Sequence, residues 1–389
     1  MAHIFQDQEL VMPAMSSTSL GGLIFIDKNI SILPRLNFSF DDAVKEIERH
    51  TSTDSMFDKV TETIIIFTYS LLIISGIISN FIVSGIIVTK TKICSTRYAY
   101  VINLSISDLI LCVFCMPFSL IALIKRRWIL GLTLCKLVPF VQAATVFLSS
   151  ATVSAIAVDR HKNVLSTFPS GRRRQHKEVI ITIIAVWTIS FIISSPILYA
   201  QTVRNVGLPH IYVYEKCLEE WPWDNAKGLY TVIIVLVQFL IPTLVLIITH
   251  LRIEAHLNYA SSRYNKSAKR PSEERVQKER QRNRRATFVL LMISAVFSIT
   301  WLPWNIFNLI ADFYPDCMTV ESLYLGFVVC HIIAMTSTTT NPILYGWFNS
   351  NIRKEILSVR DKISNIISNR KDASACKRDV KDKACDTNL

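Results

Sequence analysis

Seven long apolar stretches alternate with short polar segments along the chain. Each stretch reaches or exceeds the ~20 residues that an α-helix needs to cross the ~30 Å hydrocarbon core of a bilayer. The hydrophobic pattern therefore predicts an all-α membrane protein, a bundle of seven transmembrane helices. The predicted spans are Ile64–Val88, Tyr98–Ile124, Leu132–Val158, Val179–Ala200, Leu229–His250, Ala286–Ala311 and Ser322–Trp347.

The third span shows which side of a helix faces the inside of the bundle. From Cys135 to Arg160 the helix would rise roughly 37 Å at ~1.5 Å per residue, so its two ends lie at opposite membrane faces. Gln142 and Ser149 follow Cys135 at steps of seven residues, and Arg160 follows at a step of eleven. These spacings place all four residues near one helix face, which we expect to line the bundle interior.

Basic residues indicate the orientation of the chain. Lys and Arg are concentrated between spans one and two, between spans three and four, in the segment 252–285 and in the tail from Arg353. Such segments stay in the cytoplasm, so the N-terminus is predicted to be extracellular. This topology places the basic segment Lys125–Arg127 outside, against the rule, but the four other basic segments together favour it.

This topology predicts the domain organisation of a multi-pass plasma-membrane protein. Residues 1–61 form an extracellular tail with glycosylation sequons at Asn29 and Asn37. Residues 62–356 form the seven-helix domain, with a third cytoplasmic loop at about 252–285 and a short amphipathic helix after the seventh span. Residues 357–389 form a cytoplasmic tail.

Composition and charge exclude several other classes of protein. The chain is 51% hydrophobic and 19% charged, with a mean hydropathy of +0.36, too apolar for a typical soluble domain. Most of the net charge of +12 lies in the short segments that set topology, which argues against a nucleic-acid partner. The sequence shows no repeated halves of a transporter, no charged rings of a channel and no catalytic grouping of an enzyme.

Asp108 is the one formal charge well inside the predicted hydrophobic core. A carboxylate there must face the bundle and be paired, hydrogen-bonded or protonated. Ser149, Asn341 and Asn80 are its candidate partners by depth. The sequence leaves open whether Asp108 has a function or is a buried acid satisfied by hydrogen bonds.

Each predicted span contains a landmark residue, and together these landmarks resemble the rhodopsin-like G-protein-coupled receptors from Ile64 to about Ile356. The landmarks are Asn80, Asn103-Leu104 with Asp108, Asp159-Arg160-His161, Trp187, Pro242, Trp301-Leu302-Pro303 and Asn341-Pro342-Ile343-Leu344-Tyr345.

The resemblance implies a receptor, not an enzyme, whose partners are membrane lipid, a heterotrimeric G protein, expected to be inhibitory, and arrestin. It implies a sodium ion at Asp108, Ser149 and Asn341 that favours the inactive state, and no other cofactor. Pro303 and Pro342 kink their helices and supply natural pivots. The activation switch implied by the family comprises Asp159, Arg160, Phe297, Trp301, Pro303, Asn341, Pro342 and Tyr345. Without the resemblance, the aromatic residues on one face of the sixth span would indicate that Phe297 packs in the core.

Cys135 and Cys217 are predicted to form a disulfide. Cys217 is the only cysteine in the loop between spans four and five, and both residues lie outside, where disulfides persist. The bond would tie this loop to the third span. Cys376 and Cys385 leave palmitoylation of the tail open.

Residues expected in the ligand pocket limit the class of ligand. Gln142 stands where amine receptors carry an aspartate, and Ser322–Trp347 lacks the lysine that retinal needs. The set of Gln142, Gln238, Asn308, Asp312 and His331 resembles the pocket of neuropeptide Y and neuropeptide F receptors, whose peptides end in amidated Arg-Phe or Arg-Tyr. The alternative is a receptor of the same fold for another short peptide, RFamide-like or tachykinin-like.

The chemistry of this set fits such a peptide. Asp312 would pair with the arginine and is expected to stay hydrated until the ligand arrives, while the glutamines and Asn308 would bind the carboxamide. His331 is either a ligand contact or a histidine satisfied in the core. Departures from the family at Ser150, His250, Thr300 and Ile352 bear on activation more than on the ligand class.

Overall fold

The computed structural model describes residues 57–89, 97–125, 127–165, 172–208, 211–223, 225–265, 273–314, 320–348, 353–358 and 360–361. The two sequons at Asn29 and Asn37 lie outside these residues, as do residues 266–272 of the predicted third cytoplasmic loop and all of the tail after residue 361.

Within the described ranges the chain forms seven long helices, α1–α7. Four of them are interrupted: α2 and α5 each contain a π-helical turn, α4 has a turn at Ser195 and α7 has a turn at Thr336. After α7, residues 353–358 and 360–361 are helical, and Ile356 packs against the core. The bounds are α1 Lys59–Thr89, α2 Arg97–Ile110 with Leu111–Cys115 (π) and Met116–Ile124, α3 Gly131–Leu165, α4 Arg172–Ser194 with Pro196–Ala200, α5 Ala226–Ile234 with Val235–Leu240 (π) and Ile241–Asn265, α6 Glu273–Phe313, and α7 Val320–Met335 with Ser337–Phe348.

The helices have the length and composition of membrane spans. Six of them, α1 to α5 and α7, are long and apolar enough to cross a bilayer over the described residues. Helix α6 contains the whole of the predicted span Ala286–Ala311. Apolar side chains such as Phe67, Ile181 and Ile299 point outward, whereas polar Asn80 and Asp108 are buried. The predicted helical membrane bundle is confirmed.

Helix α3 lies at the centre of the bundle, where it packs against α2, α4, α5 and α6. A polar clamp fixes it to two neighbours, because Trp187 Nε1 donates to Asn103 Oδ1 (2.8 Å) and Asn103 Nδ2 donates to Thr152 Oγ1 (2.9 Å). The central position of α3 agrees with the inward face predicted from its spacing of polar residues.

Two prolines each leave a helix carbonyl without its backbone donor, and a side chain of a neighbouring helix donates to that carbonyl instead. Pro242 cannot donate to the carbonyl of Gln238 four residues earlier, and Ser150 Oγ on α3 donates to that oxygen instead (2.6 Å). Pro342 likewise cannot bond the carbonyl of Thr338, which accepts from Asn80 Nδ2 on α1 (2.9 Å). Side chains of α3 and α1 thus bond the carbonyls that the two prolines leave without a backbone donor.

The loop between α4 and α5 is a β-hairpin that covers the end of the bundle at which Cys135 of α3 lies. Strand β1 (Gln201–Leu208) pairs antiparallel with β2 (Ile211–Glu219). The predicted disulfide between Cys135 and Cys217 is present, with the Cα atoms 5.7 Å apart, and fastens β2 to the outer end of α3. The hairpin therefore lies directly above the cavity described below.

Candidate functional site

A cavity of about 170 Å³ lies between α3, α4, α5 and α6, beneath the hairpin. It is lined by four of the five predicted ligand residues, Gln142, Gln238, Asn308 and Asp312. They meet because each lies on the inward face of its helix. The cavity thus brings three side-chain amides and one carboxylate together near the outer end of the bundle.

Aromatic side chains form the floor of this cavity. Trp301 and Trp304 of α6 both line it, and Trp301 is only 4% exposed. Trp301 Nε1 donates to Ser337 Oγ of α7 (3.2 Å), and the ring of Phe297 lies 5.9 Å from that of Trp301. Phe297 is thus packed in the core, and the cavity floor is joined to α7 by a hydrogen bond.

His331, the fifth predicted ligand residue, lies elsewhere. It lines a neighbouring cavity of about 200 Å³ between α2, α3, α7 and the hairpin, and only Gln142 of the other four borders both cavities. Gln142 Nε2 donates to His331 Nε2 (3.2 Å), which leaves His331 Nδ1–H to donate to the hydroxyl of Tyr69 (2.5 Å). With 1% exposure His331 is buried, and both of its ring nitrogens have a hydrogen-bond partner within the protein.

Asp312 forms an ion pair within the protein. Its Oδ1 lies 2.8 Å from Nζ of Lys227, its Oδ2 accepts a hydrogen bond from Thr231 Oγ1 (2.5 Å), and its side chain is 4% exposed. The expectation of a hydrated carboxylate is therefore wrong. The reason is that Lys227 and Thr231, one turn apart on α5, both face α6.

A second carboxylate lies on the other side of this lysine. Glu219 Oε2, at the end of β2, lies 3.9 Å from Lys227 Nζ. Glu219 also accepts hydrogen bonds from Gln201 Nε2 (3.1 Å) and Trp221 Nε1 (3.3 Å). Sequence reasoning missed Lys227 and Glu219, because hydropathy places a lysine before a span as a flanking residue and does not show that it turns inward.

The buried acid Asp108 meets one of its three candidate partners. Asn341 Nδ2 donates to Asp108 Oδ2 (3.2 Å), whereas Ser149 exchanges a hydrogen bond with Ser107 (2.9 Å) and Asn80 bonds the Thr338 carbonyl. Asn341 Oδ1 is buried and has no hydrogen-bond partner among the described residues. The site thus holds a carboxylate, an unused amide oxygen and a nearby hydroxyl.

The remaining switch residues lie outside the cavity lining. Asp159 and Arg160 are half-buried near the inner end of α3, and Pro303 and Pro342 lie within α6 and α7. The side chain of Tyr345 lies outside the described residues. The departure at His250 is accommodated on α5, where its Nε2 lies 3.6 Å from Glu254 Oε2.

Comparison with known proteins defines the class. Residues 79–345 match the family model of the seven-transmembrane receptors of the rhodopsin family. The chain belongs to this family and is a G-protein-coupled receptor, not an enzyme.

Individual relatives narrow the class further. The chain is 31% identical over 301 residues to the neuropeptide F receptor of Drosophila melanogaster, an alignment covering 75% of this chain and 61% of that receptor's length. It is 30% identical over 302 residues to neuropeptide Y receptor type 6 of Oryctolagus cuniculus (76% of this chain, 79% of that receptor). It is 29% identical over 311 residues to neuropeptide Y receptor type 2 of Cavia porcellus (77% of each). The predicted resemblance to neuropeptide Y and F receptors is confirmed.

Proposed function

We propose that the chain is a plasma-membrane receptor, with its N-terminus outside, for a peptide that ends in amidated Arg-Phe or Arg-Tyr. The relatives named as neuropeptide Y and F receptors support a peptide of this type. The observation that carries the proposal is the placement of Asp312 in one cavity with Gln142, Gln238 and Asn308.

The chemistry of the cavity suits the end of such a peptide. A carboxylate binds a guanidinium through charge-assisted hydrogen bonds, in a bidentate pair where the geometry allows. Side-chain amides offer both donors and acceptors, which a terminal carboxamide requires and a free carboxylate does not. The aromatic residue of the peptide would meet the Trp301 and Trp304 floor, where ring contacts add to apolar burial.

The same floor connects the ligand to the cytoplasmic side. Trp301 lies between the cavity, Phe297 and the Ser337 hydroxyl of α7, two residues before Pro303. A ligand that shifts Trp301 would therefore favour outward movement of the inner half of α6 about the proline. The opened cytoplasmic face would receive a heterotrimeric G protein, which we propose to be of the inhibitory class, and then arrestin.

We also propose that Asp108, Ser149 and Asn341 hold a sodium ion that stabilises the inactive receptor. The oxygen donors fit a hard cation, and the buried, unused Asn341 Oδ1 is an acceptor that an ion would satisfy. Sodium should raise the unfolding temperature of the purified receptor relative to choline at equal ionic strength. That difference should vanish in Asp108→Asn; a sodium effect that survives in the variant would remove the ion from this site.

A peptide panel on cells expressing the receptor tests the ligand class. The panel contains amidated peptides ending in Arg-Phe or Arg-Tyr, their free-acid forms and amidated peptides with a neutral penultimate residue. We expect signalling with the first group at the lowest concentrations, and inhibition of cyclic AMP production that pertussis toxin abolishes. Preference for peptides without the arginine would contradict the proposed ligand and favour the tachykinin-like alternative; preference for a shorter Arg-Phe-amide peptide would favour the RFamide one.

A further inference from the structure

The cavity that contains His331, called here the second cavity, lies directly beside the ligand cavity. It has a volume of about 200 Å³ and is enclosed by α2, α3, α7 and the hairpin. Pro139 and Gln142 of α3 border both cavities. Trp304 lines the first cavity and lies edge-on to Phe327 of the second, with the ring centroids 5.0 Å apart. An extended peptide spans at most about 3.3–3.6 Å per residue, so consecutive residues of one peptide can reach both cavities.

Apolar and aromatic side chains form much of the wall of the second cavity. They include Phe118 and Leu123 of α2, Val138 of α3, Phe327 of α7 and Trp128 between α2 and α3. A cavity of about 150 Å³ lined by apolar side chains binds benzene, so the second cavity has room for an aromatic ring. Rings in its wall would add edge-to-face or offset contacts to the burial of that ring.

Polar side chains of the second cavity are already engaged within the protein. Ser119 Oγ donates to Gln142 Oε1 (3.2 Å), and Gln142 Nε2 donates to His331 Nε2 (3.2 Å). The charged residues of the lining also interact with other groups of the protein; they are Lys125, Arg127, Lys216 and Glu219. Burying a polar or charged group without a partner costs free energy, so an apolar guest suits this cavity better than a polar one.

The direction of successive side chains indicates which residue of the peptide meets the second cavity. In an extended chain, neighbouring side chains point to opposite sides. If the arginine points to Asp312 on α6, the side chain before it points away from α5 and α6. The described lining of the second cavity contains residues of α2, α3, α7 and the hairpin and none of α5 or α6. The second cavity therefore lies on the side to which the preceding side chain points.

We propose that the second cavity binds a bulky apolar side chain, that of the residue immediately before the arginine of the peptide. Because the proposed function places the arginine at Asp312, the assignment of its neighbour rests on that function. It adds a third side chain of the ligand that the receptor recognises. The receptor thus distinguishes between peptides that share the same Arg-Phe-amide ending.

Binding of three synthetic peptides tests the chemistry of the guest. The peptides end in Phe-Arg-Phe-amide, Ala-Arg-Phe-amide and Gln-Arg-Phe-amide and are otherwise identical. Wild type should bind the first roughly ten-fold more tightly than either of the others, the factor expected from burying one large apolar side chain.

Two variants of the receptor locate this side chain. Ala122 lines the second cavity, so Ala122→Phe places a ring of the receptor where the ring of the peptide would bind. It should weaken binding of the Phe-Arg-Phe-amide peptide by roughly ten-fold and leave the Ala-Arg-Phe-amide peptide nearly unchanged. Phe118→Ala removes part of the wall and should reduce the same preference. Ala185→Phe adds a ring at an exposed position of α4 outside both cavities and serves as the matched control. Thermal unfolding of each purified variant checks that the receptor is folded.

The outcomes separate the second cavity from the proposed function. If wild type binds the phenylalanine and alanine peptides equally, or if Ala122→Phe and Phe118→Ala keep its preference, the second cavity does not bind this side chain, while the ligand class stands. Equal binding of the glutamine and phenylalanine peptides, or the same loss of preference in Ala185→Phe, would overturn the assignment too. Citrulline in place of the arginine tests the proposed function by itself. Unchanged binding of the citrulline peptide would contradict that function, and the assignment of the preceding residue would fail with it.

Discussion

Two polar side chains in the apolar helices bond backbone carbonyls that a proline leaves without a donor. Ser150 donates to the Gln238 carbonyl and Asn80 to the Thr338 carbonyl, each acceptor lying four residues before a proline. An unsatisfied carbonyl at this depth would cost as much as a lost hydrogen bond, because no water replaces it. Ser150, which stands where the family usually has a bulky aliphatic residue, therefore satisfies the carbonyl that Pro242 leaves without a backbone donor.

Replacing Ser150 by alanine tests this interpretation. The Gln238 carbonyl would lose its donor, and leaving a buried acceptor unsatisfied costs about 1–3 kcal/mol, so the unfolding temperature of the purified receptor should fall. Ser154→Ala is the matched control, because Ser154 Oγ donates to a carbonyl of its own helix, that of Ser150 (3.2 Å). Equal effects of the two substitutions would show that the contact with α5 adds no stability.

At the scale of elements, the helices were predictable and the segments between them were not. All seven predicted spans lie within helices, because apolar length alone decides which segments cross a bilayer. The π-helical turns Leu111–Cys115 and Val235–Leu240 could not be predicted, although each comes just before a proline. The hairpin of β1 and β2 was also missed, since its shape depends on the disulfide and on the helix ends below it.

Asp159 and Arg160, near the C-terminal end of α3, give a prediction about activation. An arginine at this position can exchange one partner for another when α6 moves outward. Asp159→Asn should therefore raise signalling without ligand or destabilise the receptor. Arg160→Ala should reduce signalling while peptide binding is retained, measured as cyclic AMP inhibition and as displacement of a labelled peptide in the same cells. Unchanged signalling in Arg160→Ala would exclude this residue from the mechanism.

At the scale of the whole molecule, the cavity was predicted in part. Helical periodicity and the family resemblance placed Gln142, Gln238, Asn308 and Asp312 together, because residues on inward faces at similar depth must meet. The charge state of the cavity was not predictable. It depends on which way Lys227 turns and on how the hairpin brings Glu219 back over the bundle.

Topology gives a prediction for the full chain. If residues 1–61 are extracellular, glycosidase should reduce the apparent mass of the wild type, and substitution of Asn29 and Asn37 by glutamine should abolish that shift. An epitope after Leu389 should be stained only in permeabilised cells. Surface staining of that epitope would contradict the seven-span topology.

The central claim is that the receptor recognises a penultimate arginine through Asp312, and a double-mutant cycle tests it most directly. Loss of one partner of a buried ion pair costs about 2–5 kcal/mol, so Asp312→Ala should weaken binding of an Arg-Phe-amide peptide by roughly 30- to several-thousand-fold. The loss should be much smaller for the same peptide with a neutral penultimate residue. Glu220→Gln is the charge control, because Glu220 pairs with exposed Arg204 on the hairpin (2.6 Å). Equal losses for both peptides would show that Asp312 does not meet the arginine.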